Sequence, residues 1–317
     1  MSPGSKNRKD IVENRRLASR DPCLRMRAAI IQAIRSFFTG RGYLEIETPN
    51  LIPSPAPETH IDAVSAAHGF LHPSPELCMK RLLAAGYSAI FQICKCYRGG
   101  ERGRHHLPEF TLLEWYRAGA DYTDLMEECE EMIRSAAADT GLGDRIVYMG
   151  RKIDLRGPWE RMSVNEAFQR YSPISMEDAL DEDRFDEIMV LDIEPRIDIS
   201  RPLFLYDYPP SLAALSRIRQ SDPPLAERFE LYMGGLELAN AFSELIDADE
   251  QVKRFEKERE RRRQMGKAEY PFPDRFIKEL RNMPESAGIA FGIDRLVMLF
   301  ADKDTIDDVV SFTPEEL

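Results

Sequence analysis

Hydrophobic residues recur at three- and four-residue intervals over residues 24–38, and this spacing predicts an amphipathic helix. The same periodicity returns over residues 124–138, whereas the highly charged residues 250–267 predict a solvated helix. Residues 43–49 and 204–209 are typical of strands that stop at prolines. Helices and strands therefore both occur along the chain.

Two runs of β-forming residues, 91–98 and 109–116, enclose a polar loop and predict a β-hairpin. Alternation places Cys94, Cys96 and Arg98 on one face of the first strand. On the second strand, one face carries a mixed set: Phe110, Leu112, Glu114 and Tyr116. Arginines and histidines make the loop basic, as a polyphosphate site requires, although a solvated surface hairpin has the same pattern.

A second hairpin is predicted around Gly234-Gly235, within residues 229–245. Glu230 and Glu237 flank its turn and are expected to face each other, as solvated edge charges or as the two sides of a cation site. Asn240, Phe242 and Glu244 share one strand face. Simple alternation does not place Glu237 on the face of Glu244, so a bulge or bend is required there.

Small residues alternate along residues 288–292, where Gly288, Ala290 and Gly292 share a face that a planar ligand can approach. Arg295 follows in the first turn of a predicted helix, a position that favours a nearby anion. Ser74 is expected to cap another helix, with Pro75 at its first position and Glu76 close behind.

Composition narrows the functional classes. The 317 residues are 43% hydrophobic and 31% charged, with a net charge of −12, so the surface as a whole is not a nucleic-acid footprint. No apolar run predicts a membrane span or a signal peptide. Five cysteines predict a reduced, cytoplasmic protein. The pair Cys94 and Cys96 has no second Cys/His pair at zinc-site spacing, so we expect no metal there.

Three segments resemble the motifs of the class II aminoacyl-tRNA synthetases, in their lysine-type version. Motif 2 is carried by the first hairpin, on Tyr97-Arg98, Pro108-Glu109-Phe110-Thr111 and Leu113-Glu114-Trp115-Tyr116. Residues 24–49 resemble motif 1, and residues 288–299 resemble motif 3. The resemblance implies an α+β catalytic core, mainly an antiparallel sheet flanked by helices, and a homodimer.

The resemblance also implies a domain organisation. Residues 23–317 form the catalytic domain, with a less readable insertion at about 141–203, and residues 1–22 form a basic tail. The roughly twenty residues before motif 1 cannot hold the five strands of an OB-fold anticodon-binding domain, so we expect that domain to be absent.

The resemblance assigns roles to single residues. Arg98 and Arg295 are the catalytic residues, and Glu230 with Glu237 holds magnesium beside ATP. The amino acid is bound by Ser74, Pro75, Glu76, Glu114, Tyr116, Asn240, Glu244 and Ala290. ATP is bound by Arg98, Gly99, Gly100, Glu101, His106, Leu107, Phe110, Glu237, Leu238, Gly292 and Arg295. Gly100 and Leu107 depart from the family pattern, which has glutamate and asparagine there, and Glu101 is the expected substitute for the glutamate.

Within the class, residues 74–86 and Ala290 resemble the truncated lysyl-tRNA synthetase paralogues that modify elongation factor P. This resemblance implies that (R)-β-lysine or lysine is activated with ATP and magnesium and transferred to a lysine side chain of elongation factor P, and that tRNA is not the acceptor. Two alternatives stay open at this stage. One is a freestanding lysyl-tRNA synthetase-like enzyme that acylates tRNA or another acceptor. The other is an inactive binding protein, favoured only by Gly100 and Leu107.

Overall fold

Helices and strands alternate along the computed structural model, which describes residues 15–317. Its α-helices are α1 (Asp21–Gly40), α2 (Glu76–Ala84), α3 (Tyr122–Asp139), α4 (Val164–Tyr171), α5 (Met176–Asp181), α6 (Phe185–Ile188), α7 (Ala248–Gln264), α8 (Asp274–Leu280) and α9 (Ile293–Phe300). Residues 15–19 are also helical. Short 3₁₀ or π turns occupy Met189–Ile193, Glu194–Arg196, Pro210–Leu212, Ile306–Asp308 and Pro314–Glu316.

The strands are β1 (Leu44–Glu45), β2 (Leu51–Ile52), β3 (Val64–Ala66), β4 (Gly69–Leu71), β5 (Ala89–Tyr97), β6 (Glu109–Ala118), β7 (Arg145–Tyr148), β8 (Arg151–Asp154), β9 (Glu160–Ser163), β10 (Leu203–Tyr208), β11 (Ile218–Arg219), β12 (Leu225–Met233), β13 (Leu236–Ser243) and β14 (Ser286–Gly292). Nine of them form one sheet in the order β1-β5-β6-β14-β13-β12-β10-β9, with β11 paired to β12. Only the outer pairs β1–β5 and β9–β10 are parallel. The predicted mainly antiparallel sheet is therefore confirmed.

The two faces of this sheet have different surroundings. Alternate residues such as Leu113, Trp115, Ile289 and Phe291 are buried in the main apolar core. Helices α1, α3 and α9 cover that face, and Phe38 of α1 lies 5.0 Å from the ring of Trp115. The intervening residues of the same strands point to the opposite face, which is polar. The hairpin and the small-residue strand predicted from the sequence thus place their polar sides on one open surface.

A bulge in β13 changes which residues reach that surface. Leu231 pairs with Ala239, but the next residue, Tyr232, pairs with Glu237, so Leu238 is left over. The predicted bulge between Glu237 and Glu244 is confirmed. The expectation that Glu230 lies opposite Glu237 is wrong, because the two-residue turn at Gly234-Gly235 pairs Met233 with Leu236 and so places Tyr232 opposite Glu237.

Residues 141–203 contribute to the sheet as well as covering one end of it. Strand β9 pairs with β10, and helices α4 to α6 bury an apolar cluster around Phe168, Phe185 and Ile188 against β10. The strands β7 and β8 form a separate hairpin. The segment is therefore packed onto the catalytic core, and its description as an insertion stays a prediction.

Two predicted boundaries shift in the structure. The strand expected over residues 43–49 is only two residues long, because β1 lies at the sheet edge and pairs with β5 over Leu44 and Glu45 alone. The basic tail expected over residues 1–22 overlaps α1, and Arg20 is buried and ion-paired with Glu316. Residues 1–14 of that tail lie outside the described residues. Within residues 15–317, no helix is long and apolar enough to cross a membrane.

One buried ion pair ties together the three segments that carry the sequence motifs. Arg27 of α1 contacts Asp294 of α9 at 2.5 Å and donates a hydrogen bond to Thr111 of β6 at 2.6 Å. The second oxygen of Asp294 accepts the backbone N–H of Thr111 at 2.7 Å. Because each of the three groups bonds to the other two, α1, β6 and α9 are held at fixed relative positions.

Asp294→Ala is expected to lower the free energy of unfolding by about 3–5 kcal/mol, because it leaves the largely buried Arg27 without its counter-charge. Equilibrium denaturation in urea measures the change. Asp21→Ala is the matched control, since it removes an exposed pair with Arg25 and should change the stability by less than about 1 kcal/mol. Equal losses in the two variants would contradict this assignment.

Candidate active site

A cavity of about 290 Å³ opens on the polar face of the sheet, between β6, β13, β14 and the loop after β5. Most of the residues assigned from the sequence line it: Ser74, Glu76, Arg98, Glu101, His106, Leu107, Phe110, Glu114, Tyr116, Glu237, Leu238, Asn240, Ala290, Gly292 and Arg295. Five assigned residues are not among the lining residues: Pro75, Gly99, Gly100, Glu230 and Glu244. The roles assigned to these five residues stay predictions.

The floor of the cavity is the small-residue strand β14. Gly288 lies between Tyr116 of β6 and Phe242 of β13, and Ala290 lies between Glu114 and Asn240. A methyl group added at Gly288 would overlap the ring of Tyr116 and a carboxylate oxygen of Glu244. Glycine is therefore required here by close packing, and Glu244 lies against Gly288 on the cavity side of the floor.

One end of the cavity is crowded with carboxylates. Ser74 donates a hydrogen bond to Glu114 at 2.5 Å, and the Tyr116 hydroxyl donates to its other oxygen at 2.8 Å. The side chain of Lys80 is only 1% exposed and bridges Glu76 at 2.6 Å and Glu244 at 2.5 Å. Within residues 15–317, Lys80 is the one lysine whose side chain is buried.

Burial and mutual repulsion disfavour the charge on these carboxylates. Burial, with the charge of Glu76, raises the pKa of Glu114 to about 8. Burial also raises the pKa of Glu244 to about 8, although Lys80 acts in the opposite direction. Glu58, from a proline-rich loop, faces the same end, and burial with Glu76 raises its pKa to about 7. The carboxyl groups at this end of the site therefore outnumber its one buried ammonium group, that of Lys80.

The other end of the cavity carries two arginines. Arg98 lies over the ring of Phe110, 4.9 Å from its centroid, and its buried Nε has no hydrogen-bond partner within residues 15–317. Arg295 donates to the backbone oxygen of Glu237 at 2.6 Å, and its other Nη is 2.6 Å from Nε2 of His106. Burial and the Arg295 charge lower the pKa of His106 to about 4, so the neutral imidazole accepts that hydrogen bond.

Glu237 and Glu230 lie on the same sheet face but have different partners. Both oxygens of Glu230 are engaged, by Arg228 at 2.6 Å and by the hydroxyl of Tyr232 at 2.8 Å. Glu237 has only a loose contact with Arg295, at 3.7 Å, and its side chain is 42% exposed. Desolvation inside the cavity and the charge of Glu230 nevertheless raise the pKa of Glu237 to about 7. A cation beside Glu237 would relieve this repulsion.

The two departures in the motif 2 loop have visible structural consequences. Gly100 has a φ of +78°, a conformation that strains any side chain, and it does not line the cavity. Glu101 does line it and lies 3.9 Å from Arg98, and its substitution for the missing glutamate stays a prediction. Leu107 is buried in the main core while also lining the cavity. Gly99 instead fixes the loop by donating its N–H to Asp62.

The sequence analysis missed two residues of this site. Lys80 lies four residues after Glu76, a spacing that brings side chains together on one helix face, so a signal was present. Glu58 lies in a loop whose path the sequence pattern does not specify. The hydroxyl of Ser74 accepts a hydrogen bond from the N–H of Glu76, as the predicted cap requires. Helix α2, however, begins at Glu76 rather than at Pro75.

Comparison with known proteins decides the family. The model for tRNA synthetases class II (D, K and N) matches residues 5–316. The chain belongs to this family. Membership confirms the predicted catalytic fold and makes the protein an ATP-dependent ligase, with motif 1 on α1 and β1, motif 2 on the β5–β6 hairpin and motif 3 on β14 and α9.

Within the family, the chain is similar to proteins named elongation factor P–(R)-β-lysine ligase. The protein of Vibrio atlanticus is 39% identical over 307 residues, which cover 91% of this chain and 94% of the relative. Those of Pectobacterium atrosepticum and Vibrio cholerae are 38% and 39% identical, with the same coverage. The similarity thus extends over nearly the full length of both partners in each comparison.

Gly288→Ala is expected to raise KM for the amino acid at least about tenfold, because the new methyl group displaces Tyr116 and Glu244. The KM for ATP should change much less. Steady-state ATP–pyrophosphate exchange separates the two values. Gly40→Ala is the control, since it adds a methyl group in open space and should leave both constants unchanged. An unaltered KM in Gly288→Ala would refute the packing argument.

Amino-acid affinity is expected to fall as the pH is lowered from 8 to 6. The raised pKa values of Glu114 and Glu244 mean that both are protonated below about pH 8 in the ligand-free protein. Protonation of the two carboxyl groups stabilises the folded, ligand-free protein, and this stabilisation is lost as the pH rises through about 8. A cationic ligand needs both carboxylates ionised, so its binding releases protons. Calorimetry in buffers of different ionisation enthalpy should detect this release, and a pH-independent affinity without proton release would contradict the assignment.

Proposed function

We propose that this protein activates (R)-β-lysine, or lysine, with ATP and transfers it to a lysine side chain of elongation factor P. The observation that carries the proposal is the charge imbalance at the enclosed end of the cavity. Four carboxylates, those of Glu58, Glu76, Glu114 and Glu244, share that end with one buried lysine. A diamino acid, with two ammonium groups, supplies the missing positive charge.

The two ammonium groups have separate partners in this proposal. Glu244, buried against Gly288 on the cavity side of β14, takes the side-chain ammonium at the deepest point of the site. Glu76, close to Ser74, takes the ammonium nearer the substrate carboxylate. Lys80 bridges both carboxyl groups, so it lowers the cost of ionising Glu244 and holds both groups in place before the substrate arrives. Asn240 and Tyr116 complete the walls on either side of β14.

At the opposite end, Arg98 and Arg295 bind the phosphates of ATP. The unpartnered Nε of Arg98 is a buried donor that a phosphate oxygen would satisfy. Its stacking on Phe110 marks an aromatic surface wide enough for a planar base. Neutral His106 and the Glu237 carbonyl fix the guanidinium of Arg295, so this arginine is oriented before the nucleotide binds.

A magnesium ion fits beside Glu237. Magnesium prefers carboxylate oxygens together with substrate phosphates, and Glu237 is a carboxylate in need of a cation. Glu230 would join it by giving up the hydrogen bond from Tyr232. The ion would supply positive charge against the phosphates. The residues of this chain position the reactants and neutralise their charge.

The chemistry then needs no protein nucleophile. A carboxylate oxygen of the amino acid attacks the α-phosphorus, the bond to pyrophosphate breaks, and the guanidinium of Arg98 stabilises the charge that develops. The uncharged ε-amine of the acceptor lysine next attacks the acyl carbon. An amide forms, AMP leaves, and the proton of the amine passes to solvent. Holding the two substrates in reach of each other accounts for most of the rate enhancement.

Two observations support a protein acceptor over tRNA. The relatives that cover nearly the whole chain are named as ligases of elongation factor P. The net charge of −12 also opposes an extended contact with a phosphate backbone. A location in the reducing cytoplasm is part of the proposal, and the five free cysteines support it.

The homodimer implied by motif 1 is also part of the proposal. Leu44 and Leu51 are large apolar residues that remain about half exposed, and Leu44 lies on the edge strand β1. An unpaired strand edge with exposed leucines is a natural contact surface for a second copy. Light scattering on the purified protein determines the oligomeric state.

Intact mass of elongation factor P tests the function. Incubation with the protein, ATP, magnesium and (R)-β-lysine should add the mass of one lysyl group, and parallel tubes contain α-lysine, or tRNA as acceptor. Glu244→Gln should abolish the gain, whereas Glu269→Gln, a surface carboxylate beside Arg263, should not. Charging of tRNA without modification of elongation factor P would overturn the proposal in favour of a minimal synthetase. No transfer to either acceptor would indicate an inactive binding protein.

Ala290→Gly is expected to shift the preference between lysine isomers. The methyl group of Ala290 faces the cavity between Glu114 and Asn240, where the substrate backbone lies in this proposal. One methyl group discriminates by about 1–3 kcal/mol, so the ratio of kcat/KM for (R)-β-lysine over α-lysine should fall about tenfold or more. Pyrophosphate exchange with each isomer measures the ratio, and an unchanged ratio would exclude Ala290 as a specificity residue.

A further inference from the structure

A second cluster of side chains with metal-binding chemistry lies beside the active-site cavity, on strand β5. Cys94 and Cys96 point to the same face of this strand, and their sulfur atoms are 3.8 Å apart. His72, which follows β4, lies against them. One ring nitrogen of His72 and the two sulfur atoms all lie within 4.8 Å of one another. No metal was expected at the cysteine pair, because no second Cys/His pair follows at zinc-site spacing. That argument did not include His72, which lies 22 residues before Cys94.

The hydrogen bonds of His72 leave one ring nitrogen available. Its Nε2 lies 2.7 Å from the backbone oxygen of Lys95, and a carbonyl can only accept, so Nε2 carries the proton. Nδ1 of the neutral ring therefore has a free lone pair. The side chain is fully buried, and Nδ1 has no hydrogen-bond partner within residues 15–317. Metal-binding histidines usually have this arrangement, with the second nitrogen donating to a carbonyl.

The backbone also fixes His72 in place. Tyr97 donates its N–H to the carbonyl of His72 at 3.0 Å, so this residue is bonded to β5 through both its backbone and its ring. Beyond Phe91, β5 has no partner from β1, and residue 72 occupies this open edge. The imidazole is thus held over the cysteine pair by contacts that do not involve the sulfur atoms.

The distance between the sulfur atoms matches a tetrahedral site. Two thiolates bound about 2.3 Å from a tetrahedral zinc ion lie about 3.8 Å apart, which is the separation observed between Cys94 and Cys96. The buried Oε1 of Gln92, on the same strand face, also has no partner among the described residues.

We infer that His72, Cys94 and Cys96 form a binding site for a thiophilic divalent cation of the zinc class, distinct from the magnesium position at Glu237. Two sulfur atoms and one imidazole nitrogen select zinc and exclude magnesium, which prefers oxygen. On binding, both thiols lose their protons to solvent, and a water molecule or Gln92 takes the fourth position. No oxidation is involved.

The position of the site indicates what a bound ion does. His72 lies two residues before Ser74, which bonds to Glu114, and Cys96 lies two residues before Arg98. The ion therefore connects the segment that enters α2 to the strand that ends at Arg98. This connection stabilises the amino-acid end of the active site relative to its phosphate end.

The test uses Co²⁺ as a spectroscopic probe on the reduced, metal-free full-length protein. One equivalent should produce thiolate-to-cobalt charge transfer and the intense visible bands of a tetrahedral ion, and Zn²⁺ should displace it. Cys94→Ser and His72→Gln should each weaken binding by about tenfold or more. Cys78→Ser is the matched control, a half-buried thiol on α2 outside the cluster, and should bind as the unaltered protein does.

A second measurement covers the case in which a variant fails to fold. In the unaltered protein, Zn²⁺ should protect Cys94, the partly exposed member of the pair, from alkylation, read by peptide mass spectrometry, and should leave the labelling of Cys78 unchanged. Absence of the charge-transfer bands, or Zn²⁺ binding without this protection, would overturn the inference. So would cobalt binding that survives Cys94→Ser and is lost in Glu237→Gln, because the ion would then occupy the carboxylates.

Discussion

The interaction on which the active site depends is the buried contact of Lys80 with Glu76 and Glu244. One ammonium group compensates two carboxylates, while Glu58 and Glu114 have no ion pair within residues 15–317. Such a cluster is costly in the absence of a ligand, because each buried charge that is not fully paired must be protonated or neutralised. The site therefore stores unfavourable electrostatic energy that the proposed dicationic substrate would release on binding. In this proposal, selectivity follows from the charge deficit more than from shape.

The sheet makes this arrangement geometrically feasible. Its apolar face is packed against α1, α3 and α9, which hold the strands rigidly. The side chains on the polar face are therefore held in fixed positions. Gly288 allows Tyr116 and Glu244 to approach the floor, and the bulge at Leu238 rotates Glu237 onto the face of Glu244. The contacts among Arg27, Thr111 and Asp294 hold the three motif-bearing segments together. Acidic and basic ends of one cavity are thereby kept at a fixed separation.

Much of the fold was predictable, because the hydrophobic spacing of α1 and α3 and the alternation in β5, β6 and β14 depend on local sequence. The bulge at Leu238 was predictable as a necessity, since Glu237 and Glu244 could not otherwise share a face. The pairing of Tyr232 with Glu237 was also predictable, because the two-residue turn at Gly234-Gly235 determines it, and the expectation for Glu230 did not follow that count.

Contacts that depend on the path of a loop could not be predicted from the sequence pattern. Glu58 and His72 both reach their partners from segments between short strands, where no periodicity specifies a direction. Lys80 was recognisable in principle from its spacing to Glu76. The sequence motif assigned Gly100 to the nucleotide site. In the structure, Gly100 has a positive φ and does not line the cavity, whereas its neighbour Glu101 does.

The most direct test of the charge-deficit account compares two substrates that differ only in the terminal amine. ATP–pyrophosphate exchange would be measured with (R)-β-lysine and with the β-amino acid of the same length that lacks this amine. The account predicts that kcat/KM for the uncharged analogue is lower by about 10⁴-fold, because the charge deficit that Lys80 leaves around Glu244 would then stay uncompensated. Comparable exchange with both compounds would contradict it, since the buried carboxylates would then have no part in substrate selection.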